Sequence, residues 1–304
     1  MKAFCKIRSF RFARFASLSL IVLISSFLFA GQLDLPVDGY RPPTEVAGVI
    51  SEDTVWTKAG SPYIVRSTVT ISVDAVLNVE PGAEIYFVQN QELIVRGMLR
   101  AVGSQDAPII FRGTVEIPGW WRAIHIQNEG SAILEWCEIS FGGATHGAGV
   151  LKTGSGGLRL ANSTIRRTNG DGLRVAAGYS FFESLGNRFL YNNNGVRAGT
   201  NVSFFDRTST FTGNSVDIHL DGGTINTVVK WGTSSDYSMV LGGDVTISPG
   251  ALLEIERGTV LKFRQGNRLM VNGLLEAVGS EDEPIYFTDW RDDSVGGDAN
   301  RDGT

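Results

Sequence analysis

The stretch VTISVDAVLNVEPGAEIYFVQNQELIVRGMLRAVGSQDAPIIF (residues 69–111) returns without a gap as VTISPGALLEIERGTVLKFRQGNRLMVNGLLEAVGSEDEPIYF (residues 245–287). About half of the aligned positions are identical, and most of these are apolar residues or glycines. An internal repeat of this kind predicts a fold built from short, similar units that stack on one another. Architecture is therefore the first property that the sequence indicates.

Apolar residues recur two positions apart within the repeat, which is the pattern of strands that bury one face. The pairs start about eight residues apart, and glycines or polar residues separate them. Every third pair recurs after about 22 to 24 residues, which predicts a coil of three short strands per turn, each paired with its equivalent one turn on. The pairs are Val69/Ile71, Leu77/Val79, Ile85/Phe87, Leu93/Val95, Leu99/Ala101 and Ile109/Phe111. In this coil Val69 meets Leu93, Leu77 meets Leu99, and Ile85 meets Ile109.

Three asparagines in the middle of the chain recur at nearly the same interval: Asn162, Asn187 and Asn214. Asparagine tolerates the left-handed backbone conformation of a turn and bonds to stacked neighbours. We expect these residues to form a structural ladder at one turn of the coil.

Three phrases carry a resemblance to a known family: LNVEPGAEIYF (77–87), LIVRGMLRAVGSQDAPIIF (93–111) followed by WWRAIHI (120–126), and the second copy with its continuation to residue 303. The chain resembles secreted bacterial right-handed parallel β-helix repeat proteins of the pectin-lyase-like fold, over most of its length after about Ser51. The resemblance implies an all-β solenoid with three short strands per coil. It does not imply an activity, because that fold hosts enzymes, adhesins and passive scaffolds.

The N-terminus has the pattern of an export signal. Five basic residues precede an apolar run that ends near residue 29, which is too short to span a bilayer comfortably. We therefore expect a signal peptide over 1–30, a linker or N-terminal cap over 31–50, and a β-helix domain over 51–304 that is truncated at its C-terminal end. The mature chain is expected to be secreted, either extracellular or at the cell surface, with the periplasm as an alternative, and to have no membrane span.

The net charge of the chain bears on the class of partner, and its cysteine count bears on the role of Cys137. The 304-residue chain has a formal net charge of −5 and no basic stripe, which argues against a nucleic-acid partner. Without the signal peptide, Cys137 is the one remaining cysteine, and we expect it to be a small buried apolar residue.

The strongest candidate for catalysis lies in the segment DIHLD. Strand alternation places Asp217, His219 and Asp221 on one face, opposite Ile218 and Leu220. Enzymes of the resembled fold that cleave acidic polysaccharides group carboxylates on an exposed sheet, and a second region with Arg166, Arg167, Asp171 and Arg174 precedes this strip. An ordinary solvent-facing strand explains the same pattern, so the three residues are weak catalytic candidates.

The two histidines outside this segment give little indication of a functional role. His125, between Ile124 and Ile126, is expected to be a surface residue, and the segment Thr145-His146-Gly147 is too short to match a catalytic motif. Established hydrolase, metalloprotease and phosphate-loop motifs are absent from the sequence.

The run from Asp292 to Gly303 is the sharpest local signal. Asp298, Asn300, Asp302 and Gly303 match the opening of a D-x-N-x-D-G calcium loop, in which alternate oxygens bind one hard cation. The position of the bidentate glutamate lies beyond Thr304, so a solvated acidic loop remains the alternative. Calcium is the one cofactor that the sequence suggests.

The sequence thus predicts a secreted or cell-surface β-helix scaffold that is not an enzyme and binds a glycan or another surface component, as adhesins do. The alternative is a polysaccharide lyase or glycoside hydrolase that acts on an acidic polysaccharide.

Overall fold

The computed structural model describes residues 42–176 and 182–303, which all belong to one compact unit. The unit is an all-β solenoid of about ten turns, and every pairing between its strands is parallel. The predicted fold class is confirmed. The expected signal peptide and residues 31–41 lie outside the described residues, whose helices include none that is long and apolar enough to cross a membrane.

The strands stack in columns along the solenoid. The front column contains β3 (Tyr63–Ile71), β6 (Leu93–Val95), β9 (Ile124–Ile126), β12 (Ala148–Lys152), β15 (Asp171–Val175), β18 (Asn194–Ala198), β21 (Val216–Leu220), β24 (Ser238–Leu241), β27 (Val260–Phe263) and β30 (Tyr286–Asp289). A first strand, β1 (Thr44–Ile50), pairs with β3, so part of the segment expected to be a linker or cap is a strand.

The remaining strands form the other sides. The back sheets contain β2 (Thr54–Trp56), β4 (Val76–Val79), β7 (Met98–Val102), β10 (Ser131–Glu135), β13 (Leu158–Ala161) and β16 (Phe182–Leu185), then β19 (Phe204–Asp206), β23 (Val228–Thr233), β26 (Leu252–Ile255) and β29 (Leu274–Ala277). The early side column contains β5 (Glu84–Phe87), β8 (Ile109–Gly113), β11 (Cys137–Ser140), β14 (Thr164–Arg166), β17 (Arg188–Leu190) and β20 (Thr210–Thr212). The late side column contains β22 (Gly223–Ile225), β25 (Val245–Ile247) and β28 (Leu269–Val271), and one 3-10 turn spans Lys58–Gly60.

Two of the three predicted strand registers are confirmed. Val69 pairs with Leu93, and Leu77 pairs with Leu99. The third expectation was wrong, because Ile85 pairs with Phe111 and not with Ile109. A shift of two residues keeps the same side chains on the inner face, so alternation alone cannot distinguish the two registers.

The predicted asparagine ladder is in fact two ladders at different turns. The Asn192 side-chain oxygen accepts from Thr168 N at 3.1 Å, and that of Asn214 accepts from Asn192 N at 2.9 Å. Asn187 belongs to the other ladder, where its side-chain oxygen accepts from Ser163 N at 3.0 Å. Each ladder satisfies buried backbone donors at a turn, which is the structural role expected for Asn187 and Asn214. Asn162 has the expected left-handed backbone, with a φ of 49°, but its side chain belongs to neither ladder.

The core lies between the columns and consists of inward aliphatic and aromatic side chains. Trp121 is fully buried, stacks on Phe87 with ring centroids 4.1 Å apart, and donates its indole N–H to Ser140 O at 2.8 Å. Cys137 is buried as expected, and burial raises the pKa of its thiol. The DIHLD segment, by contrast, belongs to β21 of the front column, with Asp217 and His219 on its outer face.

Candidate functional site

The DIHLD strip lies on the outer face of the front column. Ile218 and Leu220 of β21 are fully buried, whereas Asp217 and His219 are partly exposed, as alternation predicts. Parallel pairing places His219 directly beside Arg197, and Arg197 beside Arg174 of the preceding turn. One outward row therefore contains two guanidinium groups and one imidazole.

Both carboxylates of the strip have cationic partners. Asp221 accepts from Arg197 Nε at 2.7 Å and lies 3.5 Å from His219 Nε2, and Asp217 accepts from Arg301 Nη2 at 3.1 Å. Burial raises the pKa of Asp221, but His219 and Arg197 outweigh this and lower it overall. Burial raises the pKa of Asp217, and Arg301 and Asn214 only partly oppose it.

The second region named from the sequence is divided between two columns. Asp171 and Arg174 belong to β15 in the front column, and burial raises the pKa of Asp171 although Asn194 donates to its carboxylate at 2.6 Å. Arg166 belongs to the early side column, where it pairs with Glu138. Arg167 is exposed in the turn after it, so neither Arg166 nor Arg167 belongs to the front row.

The segment after β30, residues 290–303, folds back onto this outer face and is called the acidic loop below. Ala299 packs against Val216 and Val240, and Trp290 packs on the same small cluster. Together with the Arg301 to Asp217 ion pair, these contacts bring both sequence-predicted sites together. No short-range sequence signal indicates that contact, since its partners are 84 residues apart.

A groove of about 540 Å³ lies between the acidic loop and the front column. Its cations are Arg197, Arg264 and Arg301. Arg264 lies over the Trp290 ring, 5.1 Å from its centroid, and takes part in none of the ion pairs found among residues 42–176 and 182–303. The other lining residues are Asn193, Asn194, Ser215, Val216, His219, Trp290, Ala299 and Asn300.

The acidic loop gathers three carboxylates beside the groove. One oxygen each from Asp293, Asp298 and Asp302 lies within 4.8 Å of the others. Both oxygens of Asp293 are buried and have no hydrogen-bond partner in the described part of the chain. Burial and the neighbouring Asp298 and Asp302 raise the pKa of Asp293. A cluster that combines like charges with unpartnered oxygens suits a hard cation.

Other groups fix the shape of the acidic loop. Lys262 Nζ donates to Asp292 O at 2.7 Å and to Gly297 O at 2.5 Å, and supplies one positive charge near the carboxylates. Asp298 accepts from Arg301 N at 2.5 Å and from Gly303 N at 3.0 Å. Asn300 donates its side-chain amide to Asp302. Of the predicted ligands, Asp298 and Asp302 belong to the cluster, while Asn300 lines the groove and Asp293 was missed.

Sequence reasoning also missed a cluster around Glu92. His125 points outward as expected but is buried, which contradicts its interpretation as a plain surface residue. His146 Nε2 lies 2.7 Å from Glu92 Oε2, and His125 Nδ1 lies 3.8 Å from the same oxygen. The sequence feature that could have indicated this cluster is the scarcity of histidine, since two of the three histidines in the sequence meet here.

Comparison with known proteins finds no matching family model, no matching curated protein and no matching solved structure. Function is therefore inferred from the geometry of the groove and of the carboxylate and histidine clusters.

Proposed function

We propose that this chain is an exported β-solenoid scaffold that performs no catalysis and binds a segment of an acidic polysaccharide in the groove. The observation that carries the proposal is Arg264, a guanidinium group that lines the groove without a carboxylate partner in the described residues. The basic and apolar N-terminal pattern of the sequence supports export. The secreted or cell-surface location follows from that pattern.

The groove has the chemistry that an acidic sugar needs. A guanidinium group binds a carboxylate through two parallel hydrogen bonds, which a neutral sugar does not offer. The Asn193 and Asn194 amides suit sugar hydroxyls, and the half-buried indole of Trp290 supplies an apolar wall. A volume of about 540 Å³ falls in the usual range for small-ligand sites.

Calcium is part of the same proposal. The acidic loop supplies Trp290, Asn300 and Arg301 to the groove. A calcium ion held by Asp293, Asp298 and Asp302 would neutralise three clustered carboxylates and fix these groove residues in place.

Isothermal titration calorimetry with oligogalacturonate, compared with the methyl-esterified oligosaccharide of equal length, tests the proposal. Wild-type protein is expected to bind the acidic form and not the ester. Arg264→Gln is expected to weaken binding by at least about 10-fold, because a charge-assisted hydrogen bond contributes about 1.5–3 kcal/mol. Arg100→Gln, at an exposed position of β7 on the back sheet, serves as the matched control. Equal affinity for acid and ester would contradict the proposal.

The alternative is a polysaccharide lyase or glycoside hydrolase. Two carboxylates with raised pKa, the buried Asp171 and the partly exposed Asp217, favour it, because general acids are tuned in this way. Incubation of the same oligosaccharides with the protein, with and without Ca²⁺, separates the two functions. If wild type depolymerises the oligosaccharides and Asp217→Asn does not, the protein is an enzyme and the scaffold proposal is wrong.

A further inference from the structure

We propose that Glu92, His125 and His146 form a binding site for one divalent transition-metal ion of the zinc class, separate from the groove and from the acidic loop. One ligand atom from each side chain lies within 4.8 Å of the other two. Two imidazoles and one carboxylate are a ligand set that Zn²⁺ uses in proteins. Imidazole nitrogen favours Zn²⁺ over Ca²⁺, which prefers oxygen ligands.

The spacing of the three groups requires little movement to enclose an ion. Zinc bonds of about 2.0–2.2 Å in a tetrahedral site place ligand atoms roughly 3.4 Å apart. The distances from Glu92 Oε2 are 2.7 Å to His146 Nε2 and 3.8 Å to His125 Nδ1, on either side of that value. Glu92 is 5% exposed, so its carboxylate is already removed from water.

Neighbouring hydrogen bonds orient His125 for ligation. Its Nε2 lies 3.0 Å from the Thr153 hydroxyl, whose own proton points to Ile126 O at 3.4 Å. The Thr153 oxygen therefore accepts from Nε2–H, which leaves the lone pair of the imidazole on Nδ1. Gln127 Nε2, 3.0 Å from Nδ1, donates to that lone pair, so this amide must rotate away when Nδ1 binds the ion. A histidine whose second nitrogen donates to a neighbour is typical of metal sites.

Glu92 and His146 are also held in position. Arg122 Nη1 donates to Glu92 Oε1 at 3.1 Å, which leaves Oε2 facing the two imidazoles.

The loop that carries His146 is anchored at both ends. Gly143 N donates to Arg122 O at 2.8 Å, and Asp171 N donates to Gly147 O at 2.8 Å. Gly143 has a φ of 99°, and a Cβ there would lie 2.3 Å from Asn169 O, so glycine is required for this path. The side chain of His146 is 26% exposed, which leaves an approach for the ion and for a water ligand.

Competition with a chromophoric chelator on untagged, metal-free protein tests the site, with Co²⁺ absorption as a second readout. Wild type is expected to bind one Zn²⁺ per chain and to show the visible bands of four-coordinate Co²⁺, both unaffected by excess Ca²⁺. His146→Ala and Glu92→Gln are expected to lose this binding. Thr153→Val is expected to weaken it about 10- to 100-fold, as loss of a supporting hydrogen bond does.

His219→Ala is the matched control, since it removes the remaining histidine and lies outside the cluster. It is expected to bind Zn²⁺ as wild type does. His146 lies in a loop between strands, so His146→Ala tests the site even if Glu92→Gln fails to fold. Absence of Zn²⁺ binding by wild type, retention of it by a folded His146→Ala variant, or its loss in His219→Ala would overturn the proposal.

Discussion

The two copies of the repeat, residues 69–111 and 245–287, pair in the same way but occupy different places in the solenoid. Val245 meets Leu269, Leu253 meets Leu275, and Leu261 meets Phe287, as their counterparts do in the first copy. The first strand of the first copy, however, belongs to the front column, and that of the second copy belongs to the late side column. Shared residues therefore determine local pairing, and do not determine which side of the solenoid a strand forms.

The displacement begins after β21. Earlier turns run from the front column to the back and then to the side, whereas β22 follows β21 after a two-residue turn and precedes the back strand β23. Only four residues separate β23 from β24, and they contain no strand. As a result β27 and β30, which correspond to β5 and β8, lie in the front column, and the acidic loop that follows β30 reaches the groove.

The candidate functional residues that fall within the copies occupy positions at which the copies differ. Glu92 corresponds to Arg268, Lys262 corresponds to Tyr86, and Arg264 corresponds to Val88. The core and turn positions agree, as shown by Asn90 and Gly266, which both have a left-handed backbone with φ of 62° and 84°. The residues that the copies share are thus mainly core and turn residues, and the three candidate residues have no equivalent in the other copy.

The largest expected effect tests the difference in burial between the copies. Phe111 is fully buried, whereas Phe287 is 46% exposed because no described turn packs on β30. Phe111→Ala is expected to lower the free energy of unfolding by about 4 kcal/mol, and Phe287→Ala by about 1 kcal/mol. Urea unfolding followed by circular dichroism measures both. Equal losses would mean that the second copy is as buried as the first.

A second pair of substitutions tests whether the same turn is equally crowded in both copies. A Cβ at Gly97 would lie 2.0 Å from Ser72 O, and one at Gly273 would lie 2.1 Å from Ser248 O. Alanine at either position forces the backbone apart, and we expect a loss of about 3 kcal/mol at Gly97 and a smaller loss at Gly273, where fewer strands must move. The same unfolding experiment applies. A neutral Gly97→Ala would contradict the close approach of the two turns.

A third prediction concerns the acidic loop, which follows the second copy and has no equivalent after the first. Saturating Ca²⁺ is expected to raise the thermal unfolding midpoint of wild type by about 3 °C, because the ion binds the folded state. Asp293→Asn is expected to remove the shift, while Asp282→Asn, at an exposed position outside the cluster, retains it. Differential scanning calorimetry measures the midpoints. An equal shift in all three proteins would exclude a specific site in this loop.

The smallest expected effect concerns Asp171, the first residue of β15, which lies between the copies in the sequence. Burial raises its pKa above the ordinary value of 3.8, so the charged form destabilises the folded state above that pH. Asp171→Asn is expected to be more stable than wild type at neutral pH, and the gain is expected to vanish as the pH falls below the ordinary value. Urea midpoints across this pH range provide the measurement. A gain that persists at low pH would assign the effect to packing rather than to charge.

Much of the fold was predictable because alternation and repeat length depend on neighbouring residues. Period two identified the inward residues, and the recurrence of every third strand identified the registers of Val69 and Leu77. The displacement after β21 was not predictable, since a strand as short as Gly223–Ile225 carries almost no pattern.

The sites were predictable only where their residues are close in sequence. Asp298 and Asp302 belong to one short motif and were found, whereas Glu92 and His146, 54 residues apart, meet only when three turns stack. Asp217 and Arg301 illustrate the same limit, because strand stacking and the return of the acidic loop create their ion pair.

The proposed recognition takes place on the outer face of the front column, between residues 193–221 and the acidic loop, outside the residues that the two copies share. Hydrogen–deuterium exchange, with and without oligogalacturonate, tests it most directly. We expect slower exchange of backbone amides in residues 193–221 and 290–303, with unchanged exchange in residues 69–87 of the first copy. Slower exchange confined to the first copy, or no change anywhere at saturating oligosaccharide, would contradict it.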